Sequence, residues 1–179
     1  MKRRYSAIAC ACMTSLLMAC GGGSGDSTGD TDFESPDAPT DVTDRYEGSW
    51  LTNCLQDYAP GENPAYPDGK SQLTGLVLNK LTATTMSFSI TTNEYETADC
   101  TGTRVAAYFS RGEAVFDGVK SIGDRTVDRV RFHATTGEIG NLYDILWTDG
   151  NVLYRGQSGS VTADGYPSLL HATRPWSRI

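Results

Sequence analysis

Histidine is scarce in this chain. His133 and His171 are the only two in 179 residues, and cysteine occurs five times. Neither histidine belongs to an H-E-x-x-H pair, and Cys54 and Cys100 with two distant histidines match no zinc spacing. Also missing are S-x-x-K and a phosphate-binding glycine loop. Gly156-Gln157-Ser158-Gly159 stops short of G-x-S-x-G and leads into no helical pattern. A nucleophile, a base and a metal are thus not legible, so we expect no enzyme, no cofactor and no metal site. Basic residues are outnumbered, with 15 Lys and Arg against 22 Asp and Glu and a net charge of -7. That balance argues against nucleic acid as a partner and against an electrostatic grip on anionic lipid. No apolar run reaches the roughly 20 residues of a membrane helix, and no long segment keeps a helical apolar stripe.

The N-terminus is built differently from the rest. Lys2, Arg3 and Arg4 form a positive region, followed by an uncharged and largely apolar stretch from Ser6 to Ala19. Its length is that of a signal peptide core. It ends in Leu17-Met18-Ala19-Cys20. This resembles the lipobox of bacterial lipoproteins, with a bulkier Met18 than is usual at its place. The resemblance implies that residues 1–19 are a signal peptide cut before Cys20, whose thiol then carries the lipid that anchors the chain in a membrane. Gly21 stands where Asp commonly marks inner-membrane retention, so the same resemblance favours the outer membrane of the cell envelope.

From residue 20 to residue 45 the chain is Gly, Ser, Thr, Asp and Pro with almost nothing apolar. Such a stretch buries too little surface to offset its ordering entropy, and we expect a disordered tether. Its seven carboxylates, from Asp26 to Asp44, face only Arg45. About 25 flexible residues span roughly 25–30 Å, enough to hold a domain clear of headgroups. Asp26, Asp30 and Asp32 lack the later bidentate Glu of a calcium loop and are expected to be solvated.

Residues 46–179 have the length of one domain. Their apolar period is two. Met86, Phe88 and Ile90 alternate with Thr85, Ser87, Ser89 and Thr91; Val130 and Phe132 alternate with Arg129, Arg131 and His133; Tyr143, Ile145 and Trp147 form a third set. Further strands are expected at Tyr46–Cys54, Leu73–Leu81, Thr103–Phe109, Ala114–Val119 and Val152–Gly156. Turn signals fall at Asn93-Glu94, Arg111-Gly112, Gly123-Asp124, Thr136-Gly137 and Asp149-Gly150, the last a hairpin turn. Only Pro167 to Ala172 reads as a short helical turn. About eight short strands predict an all-β fold, a single antiparallel β-barrel with a β-sandwich as the alternative.

Gly48-Ser49-Trp50 on the first strand resembles the G-x-W of lipocalins. That likeness implies that Trp50 closes one end of a barrel while a basic residue near the C-terminus, Arg174 or Arg178, packs across it. An early G-x-W-x-x-x-C with a second cysteine mid-domain is also similar to small bacterial lipoproteins of uncharacterised function.

Cys54 and Cys100 remain once Cys20 is acylated, and in an oxidising envelope they are expected to pair. Leu55 to Lys70 reads as a long loop whose Tyr58 and Tyr66 are candidates for ligand or partner contact. Arg129, Arg131 and His133 share one side of a strand as a candidate anion patch, against a plain solvated stripe. Trp50, Phe88, Phe109, Phe132 and Trp147 are large enough to fill a barrel, which would leave the loops as the working surface. The leading expectation is a lipid-anchored, non-catalytic binding module for a small apolar ligand or an envelope protein. Its rivals are a structural or assembly lipoprotein and an inhibitor of a wall-degrading hydrolase.

Overall fold

The computed structural model describes residues 41–137 and 140–179. Cys20, the signal peptide and the tether up to residue 40 lie outside the described residues. Nine strands are present: β1 (Gly48–Thr52), β2 (Leu55–Tyr58), β3 (Lys70–Lys80), β4 (Thr85–Tyr95), β5 (Arg104–Ile122), β6 (Arg125–Gly137), β7 (Leu142–Thr148), β8 (Val152–Arg155) and β9 (Trp176–Arg178). No helix occurs among the described residues.

Every pairing is antiparallel, in the order β1-β9-β8-β7-β6-β5-β4-β3-β2, and β1 also pairs with β3. That last contact closes the sheet on itself. Eight strands make a lipocalin-like barrel, and β2 continues the line of β1 farther along β3. The junction shows in the register, where Leu51 faces Gly75 but Leu55 faces Gln72. Thr52 covers the gap by accepting the Thr74 N–H at 3.0 Å on its hydroxyl. Closure pairs β1 with β3 where an open sheet would leave β1 as a free edge.

Alternation decides what enters the lumen. Met86, Phe88 and Ile90 are buried, as are Val130 and Phe132, and they join Tyr46, Trp50, Leu76, Leu78, Phe116, Leu146, Leu153 and Trp176 in one cluster. Phe88 meets Phe132 edge-on at 5.1 Å, and Tyr46 stacks on Phe116 at 5.3 Å. Such aromatic pairs add about 0.5–1.5 kcal/mol each beyond area burial. Phe109 and Trp147 do not belong to this filling, contrary to expectation. They have odd parity on β5 and β7 and point outward; Phe109 is 46% exposed. Trp147 packs with Val127, Ile145, Tyr166, Ile122 and Leu170 in a second cluster. That cluster lets the segment between β8 and β9 lie against the outside of the barrel.

Several local expectations are corrected. Thr103–Phe109 and Ala114–Val119 belong to one strand, β5. Gly112 inside it is a close-approach glycine, not a turn: a Cβ there would sit 1.9 Å from the His133 carbonyl oxygen, at a register shift between β5 and β6. Asn93-Glu94 lies within β4, paired to β3 and β5 on both sides. Pro167 to Ala172 forms no helix; bridges pair Gly156 with Leu170 and Val161 with Pro167. Residues 41–45, read from composition as tether, are bonded to the barrel. Thr43 is fully buried and donates to the Thr82 carbonyl at 2.9 Å, and Lys80 pairs with Asp41 and Asp44.

Candidate functional site

The two ends of the barrel differ. At one end Trp50 is fully buried and donates its indole N–H to the Tyr46 carbonyl at 2.9 Å. The Arg178 guanidinium lies 4.4 Å from the Trp50 ring centre. Its N–H groups go to the carbonyls of Gly150, Glu47 and Arg45 at 3.0, 2.7 and 3.1 Å. Of the two basic residues considered for this place, Arg178 holds it and Arg174 does not. Gly48 is suited to the spot because its φ is +130° and a Cβ would come within 3.0 Å of Arg178 Nη1. Beneath this lid, Asp128 accepts from the Tyr46 hydroxyl at 2.5 Å and from Arg45 at 2.7 Å. Burial pushes the Asp128 carboxyl above its ordinary value despite both bonds.

The opposite end is open. A cavity of about 320 Å³ lies in the mouth. Thr52, Gln72, Thr74 and Thr92 line one wall, and Ser158, His171, Arg155 and Arg174 line the other. Ile90 and Trp176, both buried, and half-buried Leu55 supply its apolar part. No Asp or Glu is among the lining residues. Arg155 points inward because Leu153, two residues before it on β8, is fully buried in the lumen. Asp144 receives Arg155 Nε at 2.7 Å and Nη2 at 2.6 Å. Its other oxygen takes the backbone N–H groups of Ile145 and Gly156, both at 2.8 Å. The Arg155 guanidinium also lies 5.4 Å from the Phe132 ring and 5.5 Å from the Trp176 ring. Arg155 Nη1 has no acceptor among the described residues. Nor does the Arg174 side chain, whose backbone N–H alone is bonded, to the His171 carbonyl.

The residues singled out from sequence fall elsewhere. Cys54 and Cys100 form a disulfide with Cα atoms 5.8 Å apart. It ties the β1–β2 junction to the β4–β5 connection beside the mouth. Leu55–Tyr58 is a strand, so the expected long loop shrinks to residues 59–69. That loop is internally bonded, with Gly61 N–H to the Pro67 carbonyl and Gly69 N–H to the Tyr66 carbonyl, both at 2.9 Å. Tyr58 and Tyr66 stack on each other at 5.9 Å, and Lys70 sits over Tyr66.

The anion patch is not an open cradle. Arg131 is already bidentate to Asp117 at 2.5 and 2.8 Å, and holds that carboxyl below its ordinary value. Arg129 donates to the Asp117 carbonyl at 2.8 Å and lies under the Tyr166 ring. His133 faces Asn141 at 3.3 Å. Sequence reasoning gave Arg155, Asp144 and His171 no role in a site. The available signal was parity: Asp144 shares the lumen-facing parity of Leu146, and Arg155 that of Leu153.

No protein-family model, curated protein or solved structure matches this chain. The likeness to lipocalins therefore rests on the barrel and on the Trp50–Arg178 closure, and the chemistry rests on the mouth. Among the described residues no group of three His, Cys, Asp or Glu is placed to hold a metal ion. What the mouth offers is hydrogen-bond donors and positive charge beside an apolar surface.

Proposed function

We propose that this protein is a lipid-anchored binding module of the bacterial envelope, held in the outer membrane through Cys20, that takes a small molecule in the barrel mouth and carries out no chemistry on it. The observation that carries this reading is the mouth cavity of about 320 Å³, walled by strand-borne side chains above a filled lumen. Binding sites favour such concave places, with an apolar surface and a few convergent polar groups. Their rigidity supports it as well, since most of the lining comes from β1, β2, β3, β4, β8 and β9. The test is native mass spectrometry of the acylated protein taken gently from its own envelope. A small molecule should co-purify, and should be lost when Thr74→Trp fills the mouth. Retention in that variant would move the site elsewhere.

One observation favours the assembly reading. On the β6 side, residues 104–109 of β5 have no neighbouring strand among the described residues. Val105, Tyr108 and Phe109 are 47%, 38% and 46% exposed there. Beyond Arg104 this strand edge is apolar from Val105 to Phe109, and such an edge is a template for strand addition by a protein partner. Phe109→Lys would abolish protein capture from the envelope if this edge is the working surface, and leave small-molecule retention intact.

A further inference from the structure

We infer that the mouth ligand is a short amphipathic organic anion, its charged head between Arg155 and Arg174 and its apolar body against Ile90 and Trp176. This rests on the mouth being the binding site and narrows it to a chemical class.

The charge of the lining points that way. The chain carries a net charge of -7, yet the cavity is lined by two guanidinium groups and an imidazole with no carboxylate. A concave site of one sign focuses its field and concentrates the opposite ion. A neutral ligand would gain hydrogen bonds from that arrangement but none of its charge attraction.

The count of charges then sets the size of the head. Asp144 balances Arg155 and is itself saturated, since both of its oxygens are engaged by Arg155, Ile145 N–H and Gly156 N–H. It therefore fixes the Arg155 plane between Phe132 and Trp176 and leaves Nη1 available to the cavity. A guanidinium held this way loses little entropy on binding. Arg174 carries a charge that no carboxylate of the lining balances, so a compact anionic head complements it.

The lumen limits the tail. Below the mouth, Trp50 and Leu76 are 0% exposed, Phe132 1% and Phe88 3%. Among the described residues this filling leaves no room for a long acyl chain. A cavity near 320 Å³ lies at the lower end of the range for small-molecule sites, roughly 300–1,000 Å³. Thr52, Thr74 and Thr92 add hydroxyls on the facing wall, which suits a hydroxyl or carbonyl on the ligand body.

The experiment titrates the full chain carrying Cys20→Ser and follows it by NMR. Probes are hexanoate, hexyl phosphate, neutral hexanamide and palmitate. The readouts are the Trp176 indole and the Thr74 and Thr92 methyls, with Val77 on the outer face of β3 as control. Hexanoate or hexyl phosphate should shift the mouth signals and leave Val77 still. The preferred head distinguishes a free organic acid from a phosphate ester, and either supports the inference. Hexanamide should bind at least about tenfold more weakly, the scale of one charge-assisted hydrogen bond. Arg174→Gln should lose a similar factor for the anions alone, with Arg174→Lys recovering part of it. Equal binding of hexanamide and hexanoate, or no effect of Arg174→Gln, would overturn the anion while leaving the mouth as the site. Tight binding of palmitate with Trp50 shifted would overturn the size limit. If none of the probes moves the mouth signals, this inference and the binding-site reading fall together.

Discussion

At one end of the barrel Arg178 lies over Trp50, 4.4 Å from its ring centre, and gives N–H groups to three carbonyls. At the other end Arg174 bonds through its backbone only, and Arg155 keeps Nη1 without an acceptor. The same side chain is used as a stopper in one place and left as an open donor in the other. A guanidinium whose three nitrogens each hold a backbone acceptor contributes to folding and has little left for a ligand. One with donors to spare gives little to stability and keeps its capacity for binding. The difference teaches where to look for function in a barrel with a filled lumen: at the end where polar groups are not paid off internally.

The largest expected effect tests the closed end. Trp50→Ala removes a fully buried indole and the surface on which Arg178 rests. Loss of about 3–5 kcal/mol is expected in urea unfolding, as for other large aromatic-to-alanine changes in cores. A loss under about 1 kcal/mol would mean that the closed end does not organise the barrel.

Next comes the staple beside the mouth. The disulfide closes a loop of sequence separation 46. Replacing both Cys54 and Cys100 by serine should cost about 2–4 kcal/mol, largely through the unfolded chain. Thiol labelling of the denatured, unreduced protein should find neither cysteine free. Labelling of both would remove this term altogether.

The two arginines can then be compared directly. Arg178→Met keeps much of the bulk over Trp50 but abandons three hydrogen bonds, and should cost about 1–3 kcal/mol. Arg174→Gln should stay within about 0.5 kcal/mol of the parent, as exposed substitutions without partners usually do. Thermal melts of the two variants side by side give the answer. Equal losses would erase the distinction between stopper and open donor.

Much of this is legible in the sequence, for a physical reason. Period-two alternation at Met86-Phe88-Ile90 and Val130-Phe132 is produced by the same burial that closes the barrel, so all-β barrel character could be read from it. G-x-W with a C-terminal arginine was legible because the closed end is built from a few residues near the two chain ends. The mouth was not. Its residues come from six strands and a loop, and they meet only through register. Gly112 misled because a glycine needed for close strand approach and one needed for a turn look alike in sequence. β9 was overlooked because three residues, Trp176 to Arg178, carry too little pattern to register. Phe109 was placed in the core on hydrophobicity alone, where the parity of β5 would have put it outside.

The smallest effects lie on the acid limb of stability, and they separate rim from interior by sign. Asp41 sits at the surface of the closed end, where its hydrogen bond from Lys80, helped by Thr43, lowers its carboxyl to about 2 from 3.8. A lowered folded value means that its contribution is complete above the unfolded value and drains away as pH falls towards about 2. Asp41→Asn should therefore flatten the loss of stability between those limits. Asp128 works the other way. Burial holds its folded value above 3.8, so the native state takes up that proton before the unfolded chain does. On acidification Asp128 thus offsets part of what the surface carboxylates lose, in the window just above 3.8. Asp128→Asn should remove the offset and make the decline in that window steeper than in the parent. Urea unfolding at closely spaced pH values measures both slopes. A flatter curve for Asp128→Asn would mean that the Tyr46 and Arg45 bonds outweigh burial, and that the closed end stores its carboxylate as a stable ion.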